Sequence, residues 1–255
     1  MLDEEGILPV EDILYGFLKM RQPRIGPRVN MDTVLLAGFA KPRGGERVIE
    51  LGCAHGAVTL ALAKRFPDAD FLGLDIQGGL IDLAKGNAEL NGIANAEFAL
   101  CDLREVRKSF AHQSFDALVV NPPYEDSGFG RRSGHETNRI SRQGEDCTLA
   151  DVCAAARFLL RNKGRLYMVM RALRLAETLA LLREANVEPR TLRMVHPTPA
   201  KNASVFLLEA VRGGGAALTA LPPLYIYGSD GEYTDELMEF YAAEPPSGRP
   251  RTSEV

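Results

Sequence analysis

The 255-residue sequence has only four cysteines, Cys53, Cys101, Cys147 and Cys153, and no C-x-x-C pair among them. That usage argues against a disulfide frame or a zinc site and reads as reduced thiols in a cytoplasmic protein. No apolar run approaches the roughly 20 residues needed to span a bilayer, so no membrane role is expected. The start, Met1-Leu2-Asp3-Glu4-Glu5, is acidic and is not expected to act as a signal peptide. A basic whole-molecule field is lacking, since the net charge is −4, and any nucleic-acid site must be a local patch. No His/Cys/acid spacing suggests a metal site, and no Ser/His/Asp arrangement suggests a covalent nucleophile. There is no internal repeat. What remains is ordinary globular composition, 45% hydrophobic and 25% charged, and a length suited to one large α/β domain or two small ones.

Strand and helix signals alternate from Arg47 onward. Strands are expected at 47–51, 71–75, 97–102, 115–120, 165–170, 191–195 and 205–211, and helices at 56–66, 79–91, 148–161 and 173–185. Pro67 closes the first of these helices and Asn91-Gly92 ends the second. Such alternation implies an α/β fold: a Rossmann-like, doubly wound sheet of seven mostly parallel strands. The last two strands are joined by a polar turn with no helix between them, so the last is expected to run antiparallel. Residues 1–45 form an N-terminal segment expected to serve as cofactor lid or substrate contact. Residues 46–243 form the main domain, and the polar, Pro-rich 244–255 is an expected disordered tail. Residues 125–145 make a long Gly/Arg/Ser-rich loop, of a length more often functional than structural.

Asn121-Pro122-Pro123-Tyr124 follows the apolar run Phe115 to Val120, at the carboxyl end of a strand, where open α/β sheets place ligands. The Asn121 side-chain oxygen and the Pro122 carbonyl can each accept one N–H of an sp² amino group. Two such acceptors favour a nitrogen with a freed lone pair and stabilise the charge that develops during alkylation. The prolines fix φ and keep the carbonyls aimed, and Tyr124 offers a face on which a base can stack. The competing reading is a strand that ends in a Pro-rich turn.

Glu50-Leu51-Gly52-Cys53-Ala54-His55-Gly56 joins the first strand to the first helix, and Gly52 and Gly56 allow a tight turn and close ligand approach. Asp75 ends the second strand, placed to accept ribose hydroxyls, and Asp102 ends the third, within reach of an adenine amine. Cys53, Ile76 and Leu103 are counted with this nucleoside pocket. A dinucleotide site is the alternative, but the G-x-G-x-x-G spacing is absent. The acid Glu50 ahead of the loop suits a cofactor bearing an ammonium and a sulfonium better than a pyrophosphate. These features favour S-adenosylmethionine. Asp32 and Thr33 either start a helix covering the cofactor or form a simple cap. Arg24 and Arg28, with Arg131, Arg139 and Arg142 of the long loop, are candidate phosphate contacts; an ordinary solvated surface is the other reading. His55 is expected to fill space beside the cofactor, His135 to meet substrate or solvent, and His196 to mark a strand-end turn.

The assembled pattern resembles the class I S-adenosylmethionine-dependent methyltransferases over roughly residues 30–212, and the tetrad resembles their amino-methylating branch. The stretch Arg24 to Leu36, His196-Pro197 with Val205 to Ala210, and Leu221 to Tyr227 with Gly231 to Thr234 are similar to the adenine-N6 methyltransferases of valine tRNA. The resemblance implies that the glycine loop and Asp75 hold the cofactor, Asp102 its adenine, and the tetrad the target amine of an RNA, a tRNA above all. One departure is Ala54 in place of the usual middle glycine, tolerable if its φ is negative. A glutamine-amide methyltransferase acting on protein would share the tetrad without needing the basic segments. A non-enzymatic RNA-binding module would have no use for Asp75 and Asp102 beside an intact tetrad.

Overall fold

The strands expected at 47–51 and 115–120 form with those bounds, β3 (Arg47–Leu51) and β6 (Phe115–Val120), and lie side by side in parallel at the centre of the sheet. Their residues alternate between two cores. Val48, Ala117 and Val119 face one helix layer, and Ile49, Leu51, Leu118 and Val120 face the other, so both faces are apolar and the strands read as continuous hydrophobic runs. The computed structural model describes residues 8–122 and 147–241. Pro123, Tyr124, the long loop with Arg131, His135, Arg139 and Arg142, and the expected tail at 244–255 lie outside the described residues.

On one side of β3 come β4 (Asp70–Asp75) and β5 (Ala96–Leu100). On the other, beyond β6, come β7 (Leu160–Arg171), β9 (Val205–Arg212) and β8 (Val187–His196). These seven strands are the expected ones. β9 pairs antiparallel with both β7 and β8, as the helix-free connection implied. Two short additions, β10 (Thr219–Ala220) and β11 (Leu224–Tyr225), pair parallel with β8 and bring the sheet to nine strands. The order reverses between β3 and β6, and such a switch point opens a crevice at the carboxyl edge of the strands.

Helices α1 (Met31–Phe39), α2 (Ala57–Arg65) and α3 (Gly78–Leu90) pack in the first core. Helices α4 (Val106–Ser109), α5 (Leu149–Leu159) and α6 (Leu175–Glu184) pack in the second. Among the described residues no helix is long and apolar enough to cross a membrane.

The N-terminal segment is more structured than the sequence implied. It contains an antiparallel hairpin, β1 (Val10–Ile13) with β2 (Leu18–Arg21), and Leu18 and Met20 are fully buried in the first core. Two asparagines one turn apart, Asn87 on α3 and Asn91 capping its carboxyl end, pin the outer edge of β2. Asn91 accepts from Lys19 N–H at 2.9 Å and donates to Lys19 C=O at 2.7 Å; Asn87 does the same with Arg21 at 2.8 and 3.0 Å. Side-chain amides thus stand in for a neighbouring strand and satisfy the edge.

At the other terminus, α7 (Asp235–Tyr241) lies on α1, where a Cβ at Gly38 would fall 2.4 Å from the Phe240 ring. The buried Arg65 joins these helices by donating to Ala37 C=O and Phe240 C=O, each at 2.8 Å.

Candidate active site

The β3–α2 loop turns through three left-handed residues, Gly52 at φ +73°, Ala54 at φ +49° and Gly56 at φ +88°. The Gly52 and Cys53 N–H groups both donate to Leu74 C=O at 2.8 Å, which holds the loop against β4. Gly56 is required twice over, since a Cβ there would lie 3.0 Å from Phe98 and 3.1 Å from Ala84. Gly52 is exposed and its Cβ position meets nothing within 4 Å, leaving the open backbone that a ligand needs. Ala54 does not meet the condition of negative φ. Its side chain sits where L-residues cost about 1–2 kcal/mol. Ala54→Gly should therefore raise the urea midpoint without changing the slope, a gain of about 0.5–1 kcal/mol once the added freedom of the unfolded chain is subtracted.

Asp75, at the end of β4, is buried and accepts from Ala54 N–H and Gln77 N–H, each at 2.9 Å. It thereby fixes the loop from below. Burial raises its carboxyl above the ordinary value, against the pull of these backbone donors. Glu50 points the other way. Its carboxylate accepts from Thr59 N–H at 2.8 Å and, at shorter range, from the Thr59 hydroxyl, in the first turn of α2. Burial pushes it up to about 7, well above the ordinary carboxylate range. Glu50 braces the loop's exit helix rather than standing free in the crevice.

Asp102 caps the short 3-10 turn Leu103–Glu105 and carries the Arg104 guanidinium, with Nη2 at 2.6 Å and Nε at 3.0 Å. Those hydrogen bonds hold its carboxyl below the ordinary range. Any adenine amine must use what lone-pair capacity Arg104 leaves. Ile76 is 45% exposed and Leu103 half-buried at the same sheet edge, two apolar surfaces suited to a purine face.

Asn30 caps α1, accepting from Thr33 N–H at 3.1 Å, while its own N–H donates to the Thr33 hydroxyl at 3.4 Å. The capping reading of Thr33 is thus present in full. Asp32 is half-buried in the same first turn. Arg28 is paired with Glu11 at 2.6 Å, a charge already answered within the chain, whereas Arg24 is exposed. Buried Gln22 stitches this strap by accepting from Val29 N–H at 2.8 Å and donating to Glu11 at 2.9 Å.

His55 is buried in the glycine loop. It is 3% exposed, and neither ring nitrogen has a partner among the described residues. Burial foremost, then the nearby Arg28 charge, push it down to about 4, so it is neutral at physiological pH. No pattern in the sequence signalled this burial, and Arg28 and Glu11 of the N-terminal segment lie near enough for their charges to act on the ring.

Asn121 stands one residue past β6, beside the switch point. Its Oδ1 is buried and receives no hydrogen bond from any described group, and Pro122 behind it is buried. An orphaned acceptor of this kind costs about 1–3 kcal/mol and is an observation that asks for a ligand donor.

Residues 42–192 match a family model described as a methyltransferase domain, which is more than half of the chain. The chain belongs to that family. A 23S rRNA (uracil(1939)-C(5))-methyltransferase of Stenotrophomonas maltophilia is 41% identical to this methyltransferase domain over 130 residues, 48% of this chain and 29% of the relative. A release factor glutamine methyltransferase of Aliivibrio fischeri is 38% identical over 81 residues, 32% of this chain and 28% of that protein. The chain thus spans less than a third of the length of these curated relatives. The fold is shared with a predicted O-methyltransferase of Agrobacterium tumefaciens, at a TM-score of 0.69 and 21% identity, covering 83% of this chain and 96% of that one. It is also shared with a geranyl diphosphate C-methyltransferase of Streptomyces coelicolor solved with S-adenosyl-L-homocysteine, at a TM-score of 0.52 and 13% identity, covering 71% and 79%.

The residues at this crevice fit S-adenosylmethionine. The exposed, left-handed Gly52 leaves room at the backbone, the acid Asp75 stands at the end of β4, and the unpaired Asn121 oxygen stands at the end of β6.

Proposed function

We propose that this methyltransferase domain moves a methyl group from S-adenosylmethionine to the exocyclic N6 amine of an adenine in RNA, a tRNA being the substrate. The observation that carries the reading is the buried, unpaired Asn121 Oδ1 at the carboxyl end of β6. Its partner in the reading is an N–H that no described group supplies. A primary amine on a ring offers two such hydrogens, one for Asn121 Oδ1 and one for the Pro122 carbonyl.

When bound, the cofactor supplies an electrophilic methyl group on sulfur. The chain's own task is positioning and charge stabilisation. Gly52 and Gly56 allow close approach, Asp75 accepts ribose hydroxyls, and Ile76 with Leu103 flank the adenine. Asn121 and Pro122 draw on the amine N–H groups and favour the nitrogen lone pair turned toward the methyl. Tyr124 stacks the target base, and Arg24, Arg131, Arg139 and Arg142 meet phosphates, while residues 1–45 act as lid and substrate contact. Resemblance to the valine-tRNA adenine methyltransferases supports the finer assignment, and similarity to an rRNA methyltransferase supports RNA as the substrate class.

Transfer of labelled methyl from S-adenosylmethionine to unmodified tRNA tests the reading, with nucleosides separated afterwards. Label should appear in N6-methyladenosine, and RNA made with inosine for adenosine, which lacks the amine, should accept none. Affinity for RNA should fall steeply with added salt, by nearly one logarithmic unit of slope per phosphate contact. A glutamine amide is the second reading, favoured by the release factor relative and by the internal pairing of Arg28 with Glu11. Label on a protein glutamine and salt-indifferent RNA affinity would establish it instead.

A further inference from the structure

Leu173 is 73% exposed, more than any other large hydrophobic side chain among the described residues. It stands on the 3-10 turn Ala172–Arg174 between β7 and α6. The next apolar residues, Leu175 and Leu179, pack into the second core, and Leu173 does not follow them. The turn that presents it is firmly braced. Ala172 N–H donates to Ser204 C=O at 3.0 Å, the Arg174 guanidinium grips Glu177 at 2.7 and 2.9 Å, and the Thr178 hydroxyl donates to Arg174 C=O at 2.8 Å. A leucine held outward on a fixed turn is exposed by construction.

Its place in the fold is next to the site. β6 and β7 are parallel neighbours with Val120 opposite Met168, so Asn121 and Arg171 end adjacent strands at the carboxyl edge. At about 3.3 Å per residue along a strand and about 4.8 Å between strands, the turn stands on the order of 10 Å beyond Asn121. Two cationic residues lie on the adjoining segments, exposed Arg171 at the end of β7 and exposed Lys201 in the β8–β9 turn, three residues before the Ser204 whose C=O accepts from Ala172 N–H.

We propose that Leu173 is a wedge for a nucleobase stack, entering the strand beside the target base while Arg171 and Lys201 hold the flanking phosphates. The proposal rests on the RNA reading of the site. An adenine can reach Asn121 only after leaving its neighbours, and the exposed apolar side chain fills the space it vacates. The chemistry wanted there is an apolar surface of one side chain's size between cations, which the β7–α6 turn provides.

The test uses the full chain and unmodified tRNA transcripts in two forms, folded with magnesium and cut by nuclease into short single-stranded fragments. Leu173→Ala should lower the single-turnover rate on folded tRNA about tenfold, leave the rate on fragments unchanged and leave S-adenosylmethionine binding unchanged. Leu173→Met, apolar and of similar volume, should restore the rate. With 2-aminopurine beside the target position, binding of the unaltered protein should raise fluorescence by unstacking, and Leu173→Ala should abolish that rise. Equal rates of Leu173→Ala and the unaltered protein on folded tRNA, or an equal loss on both RNA forms, would overturn the wedge while the RNA reading stands. If the unaltered protein labels neither RNA form, the RNA reading falls and takes the wedge with it.

Discussion

Asn121→Ala should lower the rate of methyl transfer by about 10²–10³, the scale on which loss of one preorganised group facing developing charge is felt. Cofactor affinity should be largely kept, because Gly52 and Gly56 lie in the loop after β3 and Asp75 ends β4. The same substitution should make the protein more stable, by about 1 kcal/mol, since it removes a buried oxygen that no described group satisfies. That pairing of opposite signs separates a functional role from a structural one. A residue that merely finished β6 would lose stability and activity together. Single-turnover assays and urea unfolding on the same preparation give both readouts. Transfer at the unaltered rate would show that the oxygen plays no part in the chemistry.

Glu50→Gln should change how stability depends on pH. In the folded protein burial pushes Glu50 from 4.5 up to about 7, so the fold favours its protonated form. The sign follows: its contribution is fully present below pH 4.5 and is lost as pH rises through 7. A shift of that size corresponds to about 3 kcal/mol. Glutamine offers Thr59 the same acceptor oxygen and has no proton to lose. The stability of Glu50→Gln relative to the unaltered protein should therefore rise by about 3 kcal/mol between pH 4.5 and 8.5. Taking the difference between the two proteins matters, because His55 works in the opposite direction. Lowered from 6.5 to about 4, its contribution is present above pH 6.5 and lost as pH falls toward 4. Both proteins carry His55, so its effect cancels. Urea unfolding at five or six pH values measures the difference, and a flat difference would mean that folding leaves the Glu50 carboxyl at its ordinary value.

The central sheet was legible because its information is local. β3 and β6 are short apolar runs bounded by turn residues, and burial on both faces leaves no other use for such runs. The same logic put Asp75 at the end of β4 and Asn121 past the end of β6, and both stand there. The antiparallel β9 followed from a connection too polar and too short for a crossover helix. The two-residue strands β10 and β11 were not legible, since neither is long enough to show a period.

What each acidic or basic side chain does was decided by partners distant in sequence or by geometry that spacing does not encode. Glu50 looked like a ligand for a cation until Thr59, nine residues on, took its carboxylate. Arg28, a phosphate candidate, has Glu11 brought across to it by β1, a pairing that spacing does not encode. Asp102, expected to end the third strand, stands past the end of β5 at Leu100, and whether its charge is shared with Arg104 depends on a side-chain conformation. Ala54 fell in the left-handed region because Asp75 anchors its N–H there, 21 residues away. His55 became a buried ring with no partner among the described residues only once packing enclosed the glycine loop. Hydrophobic period and turn residues thus determined the strands, their order of burial and the edge on which chemistry is placed. Pairing between charges and the left-handed backbone of the glycine loop waited on the tertiary structure, because both depend on which surfaces packing brings together.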